Sequence, residues 1–269
     1  MRRWPLYRGM FLLGVQHSME YRLHFALSLL SSAVPAGVQY FIWTAVYRHS
    51  GEGALFSYTY PQMILYTILA GLVARLVETQ FEQGIAEDIK NGGLNKYLVQ
   101  PVSYFGYRLT TFLGQKAVFY LITAGLLAAI LSGASAQGVL QLDPIRLLWF
   151  AAALFSALLL NFLIAYCLCA IAFYLHDISY FFVITGLLVT ILSGGLFPLE
   201  IFGETAFRLL QYTPFPYTVY FPVNLLNGKI ADGALGPGMA VQWTWIGIFL
   251  LGAHLAWRHA LKKYVAVGG

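Results

Sequence analysis

Apolar residues in this chain fall in long unbroken runs rather than in alternation. Stretches free of Asp, Glu, Lys and Arg cover residues 23–47, 53–74, 117–142, 147–175, 178–199 and 233–257. Each is longer than the roughly 20 residues an α-helix needs to cross a hydrocarbon core of about 30 Å. A transmembrane barrel would instead show segments of about 10 residues with alternating polarity. The pattern predicts an all-α, polytopic membrane protein with six transmembrane helices, forming a single transmembrane domain over residues 1–269. Composition points the same way. Of the 269 residues 59% are hydrophobic and only 10% charged, against about 25% charged in a soluble domain. A soluble globule of this size cannot bury that much apolar surface, and six spans leave no room for a separate catalytic domain.

The first 22 residues do not read as an export signal: the apolar stretch 9–15 is broken by His17, Glu20 and Arg22, and no small-residue cleavage site follows. Arg2-Arg3 suits cytoplasmic anchoring better than a twin-arginine signal. Residues 2–22 are expected to form an interfacial helix, with Trp4, Tyr7, Phe11, Val15 and Met19 on one stripe and Arg8 snorkelling from it. Positive residues then set the orientation. Arg2, Arg3, Arg8, Arg22, Arg75, Lys90, Lys96, Arg108, Lys116, Arg258, Lys262 and Lys263 fall on one side, and only Arg48, Arg146, Arg208 and Lys229 on the other. The positive-inside rule places both termini in the cytoplasm. A basic inner face suits anionic lipid, so the net charge of +5 does not call for nucleic acid.

Within the spans, Ser28, Ser32 and Ala36 form a ridge that lets helices approach. Pro35 should kink the first span, whereas Pro61 is tolerated at the start of the second. Cys167 and Cys169 are two residues apart on one helix and point to different faces, which disfavours a disulfide or a metal site and leaves them as packing residues.

The longest charged stretch is the cytoplasmic loop 76–108. Glu78, Glu82, Glu87 and Asp88 are expected on a helical extension of span two. Asn91-Gly92-Gly93 breaks it, and residues 94–99 can form one more helical turn before Pro101. Leu94, Tyr97 and Leu98 would be exposed there and need cover; a solvated loop between two membrane helices is the alternative. On the other side, residues 200–229 are too charged and too proline-broken to span, yet Phe202, Phe207, Tyr212, Phe215, Tyr217, Tyr220 and Phe221 favour a membrane interface. Two short helices dipping into the outer leaflet after span five satisfy both facts.

The loop sequence IAEDIKNGGLNKYLVQPVSYFGYRL resembles the cytoplasmic loop of bacterial ABC-2 type transporter permeases, with Ile89, Gly92, Leu94, Leu98 and Pro101 at the recurrent positions. An amphipathic N-terminal helix, six spans and the GGLFP element at 194–198 match that family's layout. The resemblance implies a membrane subunit of an ATP-driven exporter in the bacterial cytoplasmic (inner) membrane, moving an amphiphilic or hydrophobic substrate. It implies a coupling helix docked on a separate ABC ATPase, present in two copies. Glu87, Asp88, Lys90, Leu94, Tyr97 and Leu98 occupy its positions. It also implies a second permease chain, a homodimer or heterodimer, with the second and fifth spans lining the pathway. Here these spans offer Met63, Tyr66, Thr67, Phe181, Phe182, Thr185 and Thr190, residues that are equally ordinary for helix packing. Phe197 and Pro198 are the expected outer gate.

The chain carries no G-x-x-x-x-G-K-[ST] phosphate loop. It is therefore not expected to be an enzyme or to bind a cofactor; ATP and Mg would sit on the partner subunit. A secondary transporter or channel that uses no ATP is the alternative, and a lipid-modifying membrane enzyme a weaker third. Coupled carriers place ionisable groups inside the membrane, but all 11 acidic residues lie outside the charge-free runs. His24 and His254 lie near span ends, as interfacial residues do, and no cluster has metal-ligand or acyl-transfer spacing. The loop from Glu78 to Arg108 distinguishes these functions, because only the ATP-driven one needs a docking surface there.

Overall fold

The computed structural model describes residues 4–20, 22–51, 53–99, 102–139, 143–175 and 178–264, and of residues 20, 22–33, 98, 99 and 263 only the backbone. Arg2, Arg3 and Pro101 and the side chains of Glu20, Arg22, His24, Ser28, Ser32 and Leu98 therefore lie outside the described residues.

The described chain is almost entirely helical. It runs α1 (Trp4–Glu20), α2 (Arg22–Ser50), a two-residue-strand hairpin (Ala54–Leu55 with Tyr58–Thr59), α3 (Tyr60–Val77), α4 (Glu82–Lys90), α5 (Asn95–Val99), α6 (Tyr104–Ala136), α7 (Pro144–Cys169), α8 (Ser179–Leu192), α9 (Glu204–Gln211), α10 (Tyr220–Leu226) and α11 (Asp232–Ala260). Helix starts carry the expected chemistry. Thr59 and Gln62 make a capping box ahead of Pro61, Ser103 accepts from the Gly106 amide, and Asp143 caps α7 ahead of Pro144. Four segments are long and apolar enough to cross a membrane: Tyr60–Lys90, Tyr104–Ala136, Pro144–Phe173 and Asp232–Ala260. The chain is a multi-pass membrane protein.

The remaining expected spans differ in kind. The first is α2, one helix of 29 residues that continues through Pro35. The fifth is shorter than its charge-free run. Helix α8 has 14 residues, about 21 Å at 1.5 Å per residue, and by itself does not cross the core. It stops because Gly194 takes φ +79°, a left-handed value that glycine adopts without a steric penalty. The turn is then pinned from both sides. Tyr66 donates to the Gly194 carbonyl at 2.7 Å, and the Tyr220 amide donates to Ser193 O at 2.9 Å.

Two further boundaries shift from the sequence expectation. Span two does not extend as one helix through Glu78 and Glu82. Residues 78–81 are not helical, and Glu78 has ψ 137°. The Val77 carbonyl, which the next turn would have used, instead accepts from Asn161 Nδ2 of α7 at 2.7 Å. Span three begins at Tyr104 rather than after Lys116, because the fold gives both cations partners. Arg108 pairs with Asp88, and Lys116 Nζ donates at 3.0 Å to Arg75 O in the last turn of α3, a favourable position for a cation.

The N-terminal helix is present, but it packs only part of the expected stripe. It runs alongside the first turns of α6 with Tyr7, Met10, Gly14 and Ser18 turned inward, while Trp4, Phe11 and Met19 stay exposed. Ser18 Oγ donates to Gln115 O at 3.0 Å. The two backbones touch at glycines: a Cβ on Gly14 would collide with Thr111 O, and one on Gly114 with Phe11 O.

The buried apolar residues form two clusters. One joins α3 to the first half of α7 and to α10, around Met63, Tyr66, Leu69, Ala157 and Leu225. The other joins α4 to the second half of α7 and to α11, around Ile85, Leu94, Phe162, Tyr166 and Trp257. Inside them, buried Gln242 Nε2 donates to Ala153 O and Tyr217 O, each at 2.9 Å.

Replacing Gly114 by leucine should cost about 1–3 kcal/mol by overpacking and release α1. The expected outcome is faster proteolysis within residues 4–20 of the purified protein. Gly125→Leu on the same helix, where a Cβ meets open space, should leave the cleavage rate unchanged.

Candidate functional site

The cytoplasmic loop folds back on its own chain. Helix α4 buries Ile85 and Ile89 and exposes Gln83, Glu87 and Lys90. Asp88 sits between these faces. Its Oδ2 accepts from Arg108 Nη2 at 2.6 Å and from Tyr104 Oη at 2.8 Å. Arg108 Nη2 also donates to Gly84 O, and its Nε to Tyr104 Oη, both at 2.9 Å. The side chains of this pair are only 16% and 22% exposed, so the attraction is screened less than at an open surface. The turn that follows needs its glycines. Gly92 has φ +73°, and a Cβ on Gly93 would stand 2.6 Å from Asp88 Oδ1.

This corrects the expected exposure of the loop. Leu94 is 2% exposed, enclosed with Ile85, Ile89 and Trp257. Tyr97 packs 5.0 Å from the Tyr104 ring and 4.8 Å from Tyr107, with the Lys96 ammonium 4.9 Å over its own ring. Burial pushes its hydroxyl pKa up. The turn lays these apolar groups onto α6 and α11 instead of presenting them outward. Of the six expected coupling positions, Glu87 and Lys90 are exposed and Asp88, Leu94 and Tyr97 are not; the Leu98 side chain lies outside the described residues. Lys96, not singled out from sequence, joins Glu87 and Lys90 on the open surface.

A cavity of about 750 Å³ opens beside the start of this loop. It is bounded by α2, α3, α7 and α8 and by the non-helical break at 78–81. Of the seven residues expected from spans two and five, Thr67, Phe182, Thr185 and Thr190 line it. The three threonines donate to their own helix carbonyls at Met63, Phe181 and Gly186, each at 2.9 Å, which leaves oxygen lone pairs able to accept. Met63 and Tyr66 do not reach the cavity. Both are fully buried, Met63 one turn before Thr67 and Tyr66 with its hydroxyl on the Gly194 carbonyl. Phe181 packs edge-on to Phe182 at 6.0 Å and is not in the wall. Gln39, Asn161 and Ser193 add polar groups that the sequence reading passed over; their signal was a polar residue inside an apolar run. Arg75, Glu78 and Glu82 stand at the loop end, where Arg75 Nη1 and Glu78 Oε2 pair at 2.6 Å.

The GGLFP element closes the other end. Gly195 and Leu196 line the cavity, whereas Phe197 is half-buried and Pro198 buried behind them. The segment beyond holds an ion pair, Lys229 with Glu200. Tyr220 Oη donates to the same carboxylate oxygen at 2.7 Å. Lys229 also donates to Phe56 O at 3.2 Å and lies 3.5 Å over the Tyr58 ring. Burial pulls the Lys229 ammonium below its ordinary pKa, against the opposing pull of Glu200, and raises the Tyr58 hydroxyl. Tyr58 Oη donates to Asn224 Oδ1 at 2.8 Å. These contacts hold Phe56 and Ser57 at φ +52° and +63°, costly for residues with a Cβ, in the two-residue turn of the hairpin. Two short helices, α9 and α10, lie in this segment. In the sequence Glu200 reads as a break in an apolar run and Lys229 as an outer-side charge, with nothing to pair them.

Among the described residues there is no group of three His, Cys, Asp or Glu side chains placed to hold a metal ion. A family model described as an ABC-2 family transporter protein matches residues 33–268. The comparison with curated proteins gives no match.

Lys229→Met should destabilise the protein by about 1–3 kcal/mol, the cost of leaving the Glu200 carboxylate with the Tyr220 hydroxyl but without its cationic donor. Adding Glu200→Gln should recover more than half of the loss in thermal unfolding of the detergent-solubilised protein. Strictly additive losses would contradict the pairing.

Proposed function

The chain belongs to the ABC-2 transporter family as a permease that works with an ABC ATPase, and on that premise we propose that it exports an amphiphilic or hydrophobic substrate. The observation that carries this reading is the cavity between α2, α3, α7 and α8. It joins the cytoplasmic loop to the GGLFP turn and offers aromatic, aliphatic and hydroxyl groups. Such a wall accepts an apolar tail and supplies hydrogen-bond acceptors to a small polar head without stranding an isolated charge in the membrane.

In this proposal Thr67, Phe182, Thr185 and Thr190 touch the substrate, and the turn bearing Phe197 and Pro198 sets the outer limit of the path through Leu196. Exposed α8 residues Tyr180, Val183, Ile184 and Leu187 face a second permease chain, so that two cavities form one route. The charge-free runs serve as six spans, the ABC-2 resemblance implies the bacterial cytoplasmic membrane, and the distribution of Lys and Arg puts both ends of the chain in the cytoplasm. Residues 200–229 lie at the outer interface. Two ATPase subunits supply the energy, each meeting one loop. The contact surface is the charged one, Glu87, Lys90 and Lys96, with Asp88, Leu94 and Tyr97 shaping it from beneath. Surface charges of this kind act on encounter and register more than on packing.

Combined reversal of Glu87→Lys, Lys90→Glu and Lys96→Glu should reduce co-purification of the ATPase subunit roughly tenfold or more and leave thermal stability unchanged. ATP-dependent export from proteoliposomes should fall in parallel. Undiminished co-purification would reject this surface. Export by the chain alone without ATP would reject the function.

A further inference from the structure

Helix α3, which leads into the loop, does not continue through it. Residues 78–81 are not helical, and α3 ends with its Val77 carbonyl held by Asn161. A displacement of α4 has no continuous helix along which to reach α3. It does have a packed route elsewhere. Arg108 and Tyr104 of α6 hold Asp88 and Gly84 of α4 at 2.6–2.9 Å. The Tyr104 ring lies 5.5 Å from Trp257 of α11. Trp257 stacks on Tyr166 of α7 at 4.5 Å and 12°, and its Nε1 donates to Tyr166 O at 3.0 Å. Tyr166 in turn stacks on Phe162 at 5.8 Å and 13°. A second tie comes from Tyr264 beyond α11, whose hydroxyl donates to Asn95 Oδ1 on α5 at 3.1 Å.

We propose that Arg108, Tyr104 and Trp257 are positioning residues for energy coupling, carrying a displacement of α4 and α5 into α6, α7 and α11. This rests on the reading that the loop meets the ATPase. Trp257 is 6% exposed and the Arg108 side chain 16%, so both act through the groups they hold and not through contact with the partner. Packed rings and a desolvated ion pair suit the task, because a close-packed interior moves between discrete arrangements instead of yielding gradually. The route explains why the loop ends in buried aromatics: Tyr97 is the first ring of the column and Leu94 fills the space beside it.

The experiment uses the permease–ATPase complex in lipid nanodiscs, with spin labels at exposed Asn91, His259 and Tyr212 and distances read by double electron–electron resonance. On addition of a non-hydrolysable ATP analogue, the Asn91–Tyr212 distance should shift by about 2 Å or more while Asn91–His259 stays fixed. In Trp257→Leu the Asn91–His259 distance should itself shift or broaden with nucleotide. Trp257→Phe should restore the fixed distance, and co-purification of the ATPase should be unchanged in both. Arg108→Lys, which keeps the charge but loses the forked geometry, should behave as Trp257→Leu does. The route is overturned if Asn91–His259 moves with nucleotide in the unsubstituted chain, if Asn91–Tyr212 does not move, or if the Trp257→Leu and Arg108→Lys complexes both match the original. Failure of the unsubstituted chain to hold an ATPase subunit rejects the docking reading, and the route with it; intact docking with unaffected variants rejects the route alone.

Discussion

The ion pair between Asp88 and Arg108 fixes the shape of the cytoplasmic side. A guanidinium on a membrane-entering helix and a carboxylate in a short loop helix each need the other, because neither is open enough to be solvated on its own. Meeting that need turns α4 back against α6, which in turn puts Ile85, Ile89 and Leu94 into the cluster around Trp257. What remains outward is Glu87, Lys90 and Lys96. The loop's apolar residues therefore build its foundation, and its charges make the surface a partner would meet.

The same constraint, that polar groups find partners away from water, governs the rest of the membrane domain. Asn161 takes the Val77 carbonyl and ends α3; Gln242 joins α11 to α7 and to the Tyr217 carbonyl; Tyr66 holds the Gly194 turn that ends α8. The first of these contacts stops α3 at Val77 and the last fixes the turn that stops α8 short of its apolar run, and Val77 and Ser193 at these two ends border the cavity. The path is thus a consequence of where backbone carbonyls are satisfied by side chains instead of by the next turn. At the far end, Lys229 and Glu200 tie the hairpin to the outer segment, which keeps that end from splaying.

Much of this was legible in the sequence. Runs without charge locate most of the long helices to within about two turns, though α6 begins well before its run, Asn91-Gly92-Gly93 marks the turn between α4 and α5, and Pro61 sits where a helix starts. Thr67 and Thr185, on the two spans singled out, line the cavity. The failures share one cause: a linear pattern does not reveal partners distant in sequence. Lys116 and Arg108 read as loop residues until their partners, Arg75 O and Asp88, were in place. Tyr66 reads as a lining aromatic, but its hydroxyl is spent on a carbonyl 128 positions away. Gly14 and Gly114 look unremarkable singly and matter only because the two backbones touch.

Seating of the loop requires Asp88 and Arg108 to act as one unit. A double-mutant cycle with Asp88→Asn and Arg108→Met, read as the opening free energy of residues 82–90 by amide hydrogen exchange in lipid nanodiscs, measures this directly. Seating by the pair predicts a coupling energy of about 1.5 kcal/mol or more, with both single substitutions weakening protection and the double substitution adding little. Losses that add within about 0.5 kcal/mol, as they do for independent sites, would contradict it.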